Sequence, residues 1–304
     1  MTSVPYEVAR PRPTTLSARI VEFLARAPVH MLLMLIAVIW LVPSIGLFIT
    51  SFRPRSDISS SGWWEAVANW DFTIDNYRQV LQGAQMGESF FNSLLISVPS
   101  TIVPLFIGAM AAFAFSWIPF KFRDTIFLGV VALMVVPIQM TLVPVLTLFQ
   151  DMGLWFTGER DFITGSYLGI WIAHSTFALP FCIFLLRNFF ITLPRDLIEA
   201  ARVDGASNLR IFLRVVLPLS VPALASFAIF QFLWVWNDLL MALIYVQESS
   251  LLPLTVRISQ VQSTYGVEWH LLSAGAFVLM AVPLLVFFSL QRFFVQGLLA
   301  GSVK

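Results

Sequence analysis

The sequence predicts an all-α integral membrane protein with six spanning helices. Three observations carry that prediction. The chain is 58% hydrophobic and only 12% charged, where a soluble domain is about a quarter charged. Its apolar residues fall in six long runs, and its mean hydropathy is +0.84. Its basic residues favour alternate connecting segments, as in multi-pass membrane proteins.

A spanning helix needs about 20 apolar residues. The candidate runs are 30–50, 91–117, 125–149, 166–190, 219–246 and 271–294. The first follows the Arg-bearing "ARPRPTTLSARIVEFLARAP", as a signal peptide would. It is long, however, and leads into "FITSFRPRSD" with no small-x-small cleavage site, so it reads as an uncleaved first helix. In the second run Gly108 and Ala112 are a small-xxx-small pair, which lets helices approach closely. Gln139 of the third run sits between Pro137 and Pro144. Prolines free backbone groups and permit kinks. Gln139 is either an interhelical hydrogen bonder or part of a moving gate. The fourth run opens with a second small pair, Gly165 and Gly169, and holds the one cysteine, Cys182. A single cysteine allows no disulfide within the chain and reads as a buried thiol.

Loop charge sets the expected orientation. With the N-terminus inside, 13 of the 18 Lys and Arg residues fall on inner segments, and most acids fall outside. Both termini are then cytoplasmic. The predicted organisation is a cytoplasmic tail, 1–29, and a six-span domain, 30–294, followed by a cytoplasmic tail, 295–304. The six-span domain includes an external loop, 51–90, and a cytoplasmic loop, 191–218. Trp63, Trp64 and Trp70 of the external loop suit an interfacial belt or a docking surface.

The inner loop is the most polar stretch between two runs: "EAARVDGASNLRIFLRVVLP", 199–218. Its chemistry predicts helix, bend, helix. Pro194 suits a first helical turn, and Asp196 and Glu199 favour the positive end of a helix. Gly205 supplies a C-terminal stop. Ser207 can cap a second helix, in which Leu209, Phe212, Leu213 and Val216 recur at helical spacing. Such an element is either an ordinary amphipathic loop or a lever that passes a push from a partner to the spans.

Glu199-Ala200-Ala201, Gly205, then Val215, Leu217 and Pro218 resemble the EAA---G---------I-LP signature. That signature belongs to permease subunits of bacterial ATP-binding-cassette importers; Val215 stands where Ile is usual. "FFNSLLISVPSTIVP", "VVPIQMTLVPVL" and "FQFLWVWNDLLMALIYV" are similar to spans of the MalG-like carbohydrate group. "DGASNLRIF" and "LLAGSVK" look closest to its α-glucoside branch. The resemblance implies a type I ABC importer permease fold. It also implies a bacterial cytoplasmic (inner) membrane location. The expected partners are two ATP-binding subunits, a homologous second permease and an extracytoplasmic solute-binding protein.

The resemblance makes the 194–210 element a coupling helix seated on the ATPase. Glu199, Ala200, Ala201, Asp204, Gly205, Leu217 and Pro218 are its candidate coupling residues. The tail at 297–304 is either a frayed end or, as the resemblance implies, a segment reaching the ATPase interface.

In the fifth run Asp238 is the one carboxylate well inside a span, where such groups are costly and usually face the bundle interior or a water path. On a continuous helix Gln231, Trp234 and Asp238 share a face, with Trp236 and Asn237 beside it. Indole rings and amide or carboxylate groups suit a sugar. With Gln139 these residues are the candidate translocation path; interfacial anchoring and an interhelical hydrogen bond are the alternative.

The sequence has no G-x-x-x-x-G-K-[ST] phosphate loop. The chain is therefore expected to bind no cofactor and catalyse no covalent step, with ATP and Mg held by partner subunits. No metal cluster or nucleic-acid-binding run stands out. A self-sufficient secondary transporter or channel for a small polar solute is the rival reading; it predicts intramembrane charge pairs or internal repeats with broken helices at corresponding positions, whereas Asp238 reads as a lone charge and no clear repeat is evident.

Overall fold

The computed structural model describes residues 16–82, 85–264 and 268–300. Residues 1–15 of the expected N-terminal tail and 301–304 of the expected C-terminal tail lie outside them. The described residues form helices and connecting turns, with no strand among them.

The first helix, α1 (Leu16–Ser51), packs along the last one and leaves most of its apolar surface exposed. The segment expected as a long loop is instead folded into three short helices: α2 (Arg55–Ile58), α3 (Trp63–Asn69) and α4 (Asp75–Gln82). Its fold is held by Asn76, whose side-chain amide donates to the carbonyls of Ser51 and Arg53 at 2.9 and 2.8 Å. The indole of Trp63 covers Gly46, where a Cβ would lie 2.9 Å from its Nε1. Trp64 and Trp70 remain exposed.

Helix α5 (Met86–Trp117) packs along α8 (Tyr167–Phe190), and this pair is the spine of the bundle. The third run is not one straight helix. It divides into α6 (Arg123–Ala132), a 3-10 turn at Leu133–Val135 and α7 (Ile138–Thr157), with a 102° bend between the two limbs. The break falls at Pro137, which supplies no amide hydrogen to the preceding turn. Pro144 stays inside α7.

Beyond α8 the chain forms α9 (Arg195–Val203), α10 (Asn208–Ile211), a π turn at Phe212–Val216 and α11 (Leu217–Leu219). Helix α12 (Val221–Trp236) leaves the α10–α11 segment at 77°. The fifth run is thus also interrupted: α12 stops at Trp236 and α13 (Leu240–Tyr245) starts afresh. A 3-10 turn at Ser249–Leu251 leads to α14 (Leu254–Thr264), and α15 (Trp269–Ala300) closes the bundle. Four helices can each span a membrane, and the two bent pairs bring the number to six if each pair is one span.

Two glycines expected to admit a neighbouring helix do something else. A Cβ on Gly165 would lie 2.7 Å from the carbonyl of Asp161, and one on Gly169 would lie 3.0 Å from that of Ile163. Both admit the turn that precedes α8. Gly108 does meet another helix: its Cα faces Cys182 of α8.

Candidate functional site

The 195–219 segment is built at the same end of the bundle as the α5 C-terminus. Helix α9 ends in a Schellman motif: Ala206 N–H donates to the Ala201 carbonyl and Gly205 N–H to that of Arg202, both at 3.0 Å. The motif needs a left-handed residue, and Gly205 supplies it with φ +74°. Asp204 is the C-cap just before it. Ser207 then caps α10, its hydroxyl accepting from Arg210 N–H.

One side of α9 is anchored. Ile198 is 1% exposed, in a cluster with Phe113, Leu186, Phe190, Ile211 and Phe212, and Ala201 is half-buried against it. Arg202 donates to the carbonyl of Trp117, the last residue of α5, at 2.8 Å. That carbonyl is one of the acceptors a helix end leaves open. The other side faces outward. Glu199 and Ala200 are exposed, and Val203 is 88% exposed. Glu199 is the fifth residue of α9, beyond the first turn in which a carboxylate gains from the helix dipole. Leu217 is half-buried against the same cluster, while Pro218 is exposed beside the π turn and the 77° bend.

Inside the bundle the expected common face of Gln231, Trp234 and Asp238 does not exist, because α12 ends at Trp236. Past that end Asp238 caps α13: its carboxylate accepts from Met241 and Ala242 N–H at 3.4 and 3.0 Å. Its backbone carbonyl accepts from the Thr255 hydroxyl at 2.9 Å. Gln231 is 8% exposed, and its amide nitrogen donates to the Ser100 carbonyl of α5 at 3.2 Å. Trp234 is 60% exposed and, with Gln231, lines a cavity of about 310 Å³. Trp236 is buried and donates to Leu279 O at 2.9 Å, a packing role. Asn237 bonds back to the Leu233 carbonyl of its own helix. Gln139 is exposed just after the α6–α7 break and does not line this cavity.

Sequence reasoning missed His174. It is 2% exposed on α8, lies 3.8 Å from the Asp238 carboxylate and lines the cavity beside Gln231. The signal was available: an imidazole within the apolar "IWIAHSTFALP" is an intramembrane ionisable group. Asn92 was missed too. It donates to Ser250 and Leu252 carbonyls and accepts from the Tyr167 hydroxyl, tying α5, α8 and the 249–252 turn together.

Four long apolar helices and two bent pairs, with a polar helix-bend-helix docked at one end, define a multi-pass membrane subunit. The chain belongs to the family described as binding-protein-dependent transport system inner membrane component, whose model matches residues 83–300. It is 50% identical over 290 residues to the osmoprotective compounds uptake permease protein GgtD of Synechocystis sp., covering 93% of this chain and 94% of that one. It is 51% identical over 234 residues to the alpha-glucoside transport system permease protein AglG of Rhizobium meliloti, covering 77% of this chain and 60% of that one. Its fold is similar to a chain of a bacterial ABC transporter involved in alginate import. There the TM-score is 0.70 at 21% identity, with 93% of this chain and 99% of that chain covered. The protein is thus a permease component of an ABC transport system in the inner membrane.

Proposed function

We propose that this chain is a permease subunit of an ATP-driven sugar importer, with an α-glucoside or a related glycoside as cargo. Its relatives support that substrate class: one carries alpha-glucosides by name and an equally similar one carries osmoprotective compounds. The proposed assembly adds a homologous second permease, two ATP-binding subunits and an external solute-binding protein. ATP and Mg belong to the ATP-binding subunits, and this chain holds neither. Both termini and the 191–218 loop face the cytoplasm, in keeping with the positive-inside bias.

The observation that carries this reading is the two-sided build of α9. Ile198 and Arg202 fasten one side to the spans, while Glu199, Ala200 and Val203 present a carboxylate and apolar surface outward. A partner seated on α9 would cover Val203, 88% exposed, and Leu197, 45% exposed. Movement of the ATP-binding subunits then displaces α9. The shift reaches α5 through Arg202, and reaches α12 through the π turn and the bend near Pro218. The spans alternate between inward- and outward-facing states that lie within a few kcal/mol of each other.

A tagged pull-down from native membranes tests this. Wild type is expected to bring down an ATP-binding subunit, a second permease and a binding protein, and Glu199→Lys to lose the ATP-binding subunit. Wild type purifying without that subunit in mild detergent refutes the importer reading. A Glu199→Lys protein that keeps it, with sugar-dependent hydrolysis, refutes only the role of Glu199.

A further inference from the structure

We propose that the inner boundary of the membrane between α6 and α8 holds the phosphate of an anionic lipid, gripped by Arg123 and Arg187. The inference goes beyond the importer reading and holds for any cargo. It takes from that reading only the cytoplasmic placement of this end of the bundle.

The site is built from two elements. Arg123 opens α6, directly after the short connection from α5, and Arg187 stands in the last turn of α8. Arg123 Nε and Arg187 Nη2 converge on one atom, Asp124 Oδ1, each at 3.4 Å. Arg187 is held from below by the Phe127 ring, whose centre is 4.0 Å from its guanidinium carbon. Lys121, exposed over the Phe122 ring at 4.9 Å, adds a third cation. The one acid of this connection is Asp124, so two positive charges stay unbalanced.

Asp124 does not saturate the arginines. Contacts of 3.4 Å are long beside the 2.7–2.9 Å or so of a charge-assisted bond, and its side chain is 73% exposed. Among the described residues nothing bonds Arg187 Nη1 or either Nη of Arg123, and none of these three atoms is enclosed. Arg187 Nε is buried and takes no part. Two guanidinium edges with open N–H groups thus face the same space, an arrangement that suits the several oxygens of a phosphate.

Position selects a lipid as the source of that phosphate. The charges lie where α5 ends, α6 begins and α8 ends, and these are ends of candidate spans. Phe120 and Phe122 are exposed beside them, and Ile126 and Leu128 of α6 and Phe184 of α8 are exposed about one turn deeper. Cations at headgroup depth above open apolar surface match a headgroup above its acyl chains, and basic pockets between spans on the cytoplasmic side hold anionic headgroups. A soluble phosphate would balance the charges and leave Phe122, Leu128 and Phe184 uncovered. The same connection follows Trp117, whose carbonyl Arg202 of α9 holds. A lipid bound here therefore steadies the end of α5 on which α9 rests.

The test uses the complete transporter in phosphatidylcholine nanodiscs with a small share of diazirine-bearing phosphatidylglycerol. Photolysis is expected to label this chain within 118–128 or 184–190. Unlabelled phosphatidylglycerol is expected to compete; added phosphatidylcholine and excess inorganic phosphate are not. A basic residue near an anionic surface is worth about fivefold in binding, so Lys121→Gln with Arg123→Gln should cut the labelling at least about tenfold. Arg160→Gln, at an exposed position on the external face, should leave it unchanged. Arg187→Gln should also lower it, but that variant gives up packing on Phe127 as well, so the exposed pair decides. Labelling that survives Lys121→Gln with Arg123→Gln overturns the site, as does equal competition by phosphatidylcholine. Competition by inorganic phosphate makes it a site for a soluble anion and overturns the lipid. Cross-links from these segments to another subunit, with no lipid adduct, overturn it in favour of a protein contact. The probe occupies both leaflets, so the result does not hang on which side of the membrane this end faces.

Discussion

Replacing Gly108 with alanine probes the spine of the bundle. The added Cβ would fall well inside van der Waals contact distance of Cys182 Sγ and 2.9 Å from Cys182 Cβ. The sulfur is fully buried, and a Cβ cannot swing away from its own backbone. Restoring an ordinary carbon–carbon separation of about 3.5 Å to Cys182 Cβ alone requires α5 and α8 to part by roughly 0.6 Å there, and the nearer sulfur demands more. The neighbours Ala112 and Leu186 are themselves fully buried, so the shift loosens their contacts as well. Overpacking of this kind costs about 1–3 kcal/mol, which lowers the unfolding midpoint by about 2–12 °C at 2–4 °C per kcal/mol. Tryptophan fluorescence during thermal unfolding in detergent measures it. The partner substitution Cys182→Gly removes both clashing atoms at a conformational cost of about 0.5–1 kcal/mol, to which the lost packing of the buried thiol adds. The double variant should therefore be more stable than the sum of the singles by at least about 1 kcal/mol. A Gly108→Ala protein with an unchanged midpoint, or strict additivity in the double variant, would show that the two helices do not meet through these atoms.

Other substitutions test the elements one at a time. Gly205→Ala meets no atom within 4 Å, so its cost is conformational alone, about 1–2 kcal/mol, and Gly205→Asn should recover part of it in the same unfolding assay. Asp238→Ala removes the acceptor for Met241 and Ala242 N–H and should destabilise by about 0.5–2 kcal/mol, while Asp238→Asn keeps one acceptor and most of the stability. Asn92→Ala strands the Ser250 and Leu252 carbonyls and the Tyr167 hydroxyl, and should cost about 1–3 kcal/mol. In hydrogen exchange the 249–252 turn is expected to open first in that variant; uniform protection would refute the tie.

Much of the architecture was legible because a bilayer writes its demands along the chain. Apolar runs long enough to cross it, Lys and Arg on alternate loops, and the Glu199–Pro218 signature are all local patterns. So are Gly205 and Ser207, whose roles depend on backbone conformation within a few residues. Gly108 was also readable, since only a small residue lets one helix touch another so closely.

What needed the tertiary structure is what depends on partners far away in sequence. The third and fifth runs look continuous, yet hydropathy carries no angle, and the bends of 102° and 77° follow from packing as well as proline. A separate break, where α12 stops at Trp236, moved Asp238 off the helix face it was expected to share and made it a cap. The grip of Arg202 on Trp117 spans 85 residues of sequence, and the approach of His174 to Asp238 joins two different runs. The sequence by itself determined that the chain crosses a membrane and which loop carries the family signature. Only the folded chain decided which polar groups stand together inside it, because apolar periodicity records burial but not which neighbour a buried group will meet.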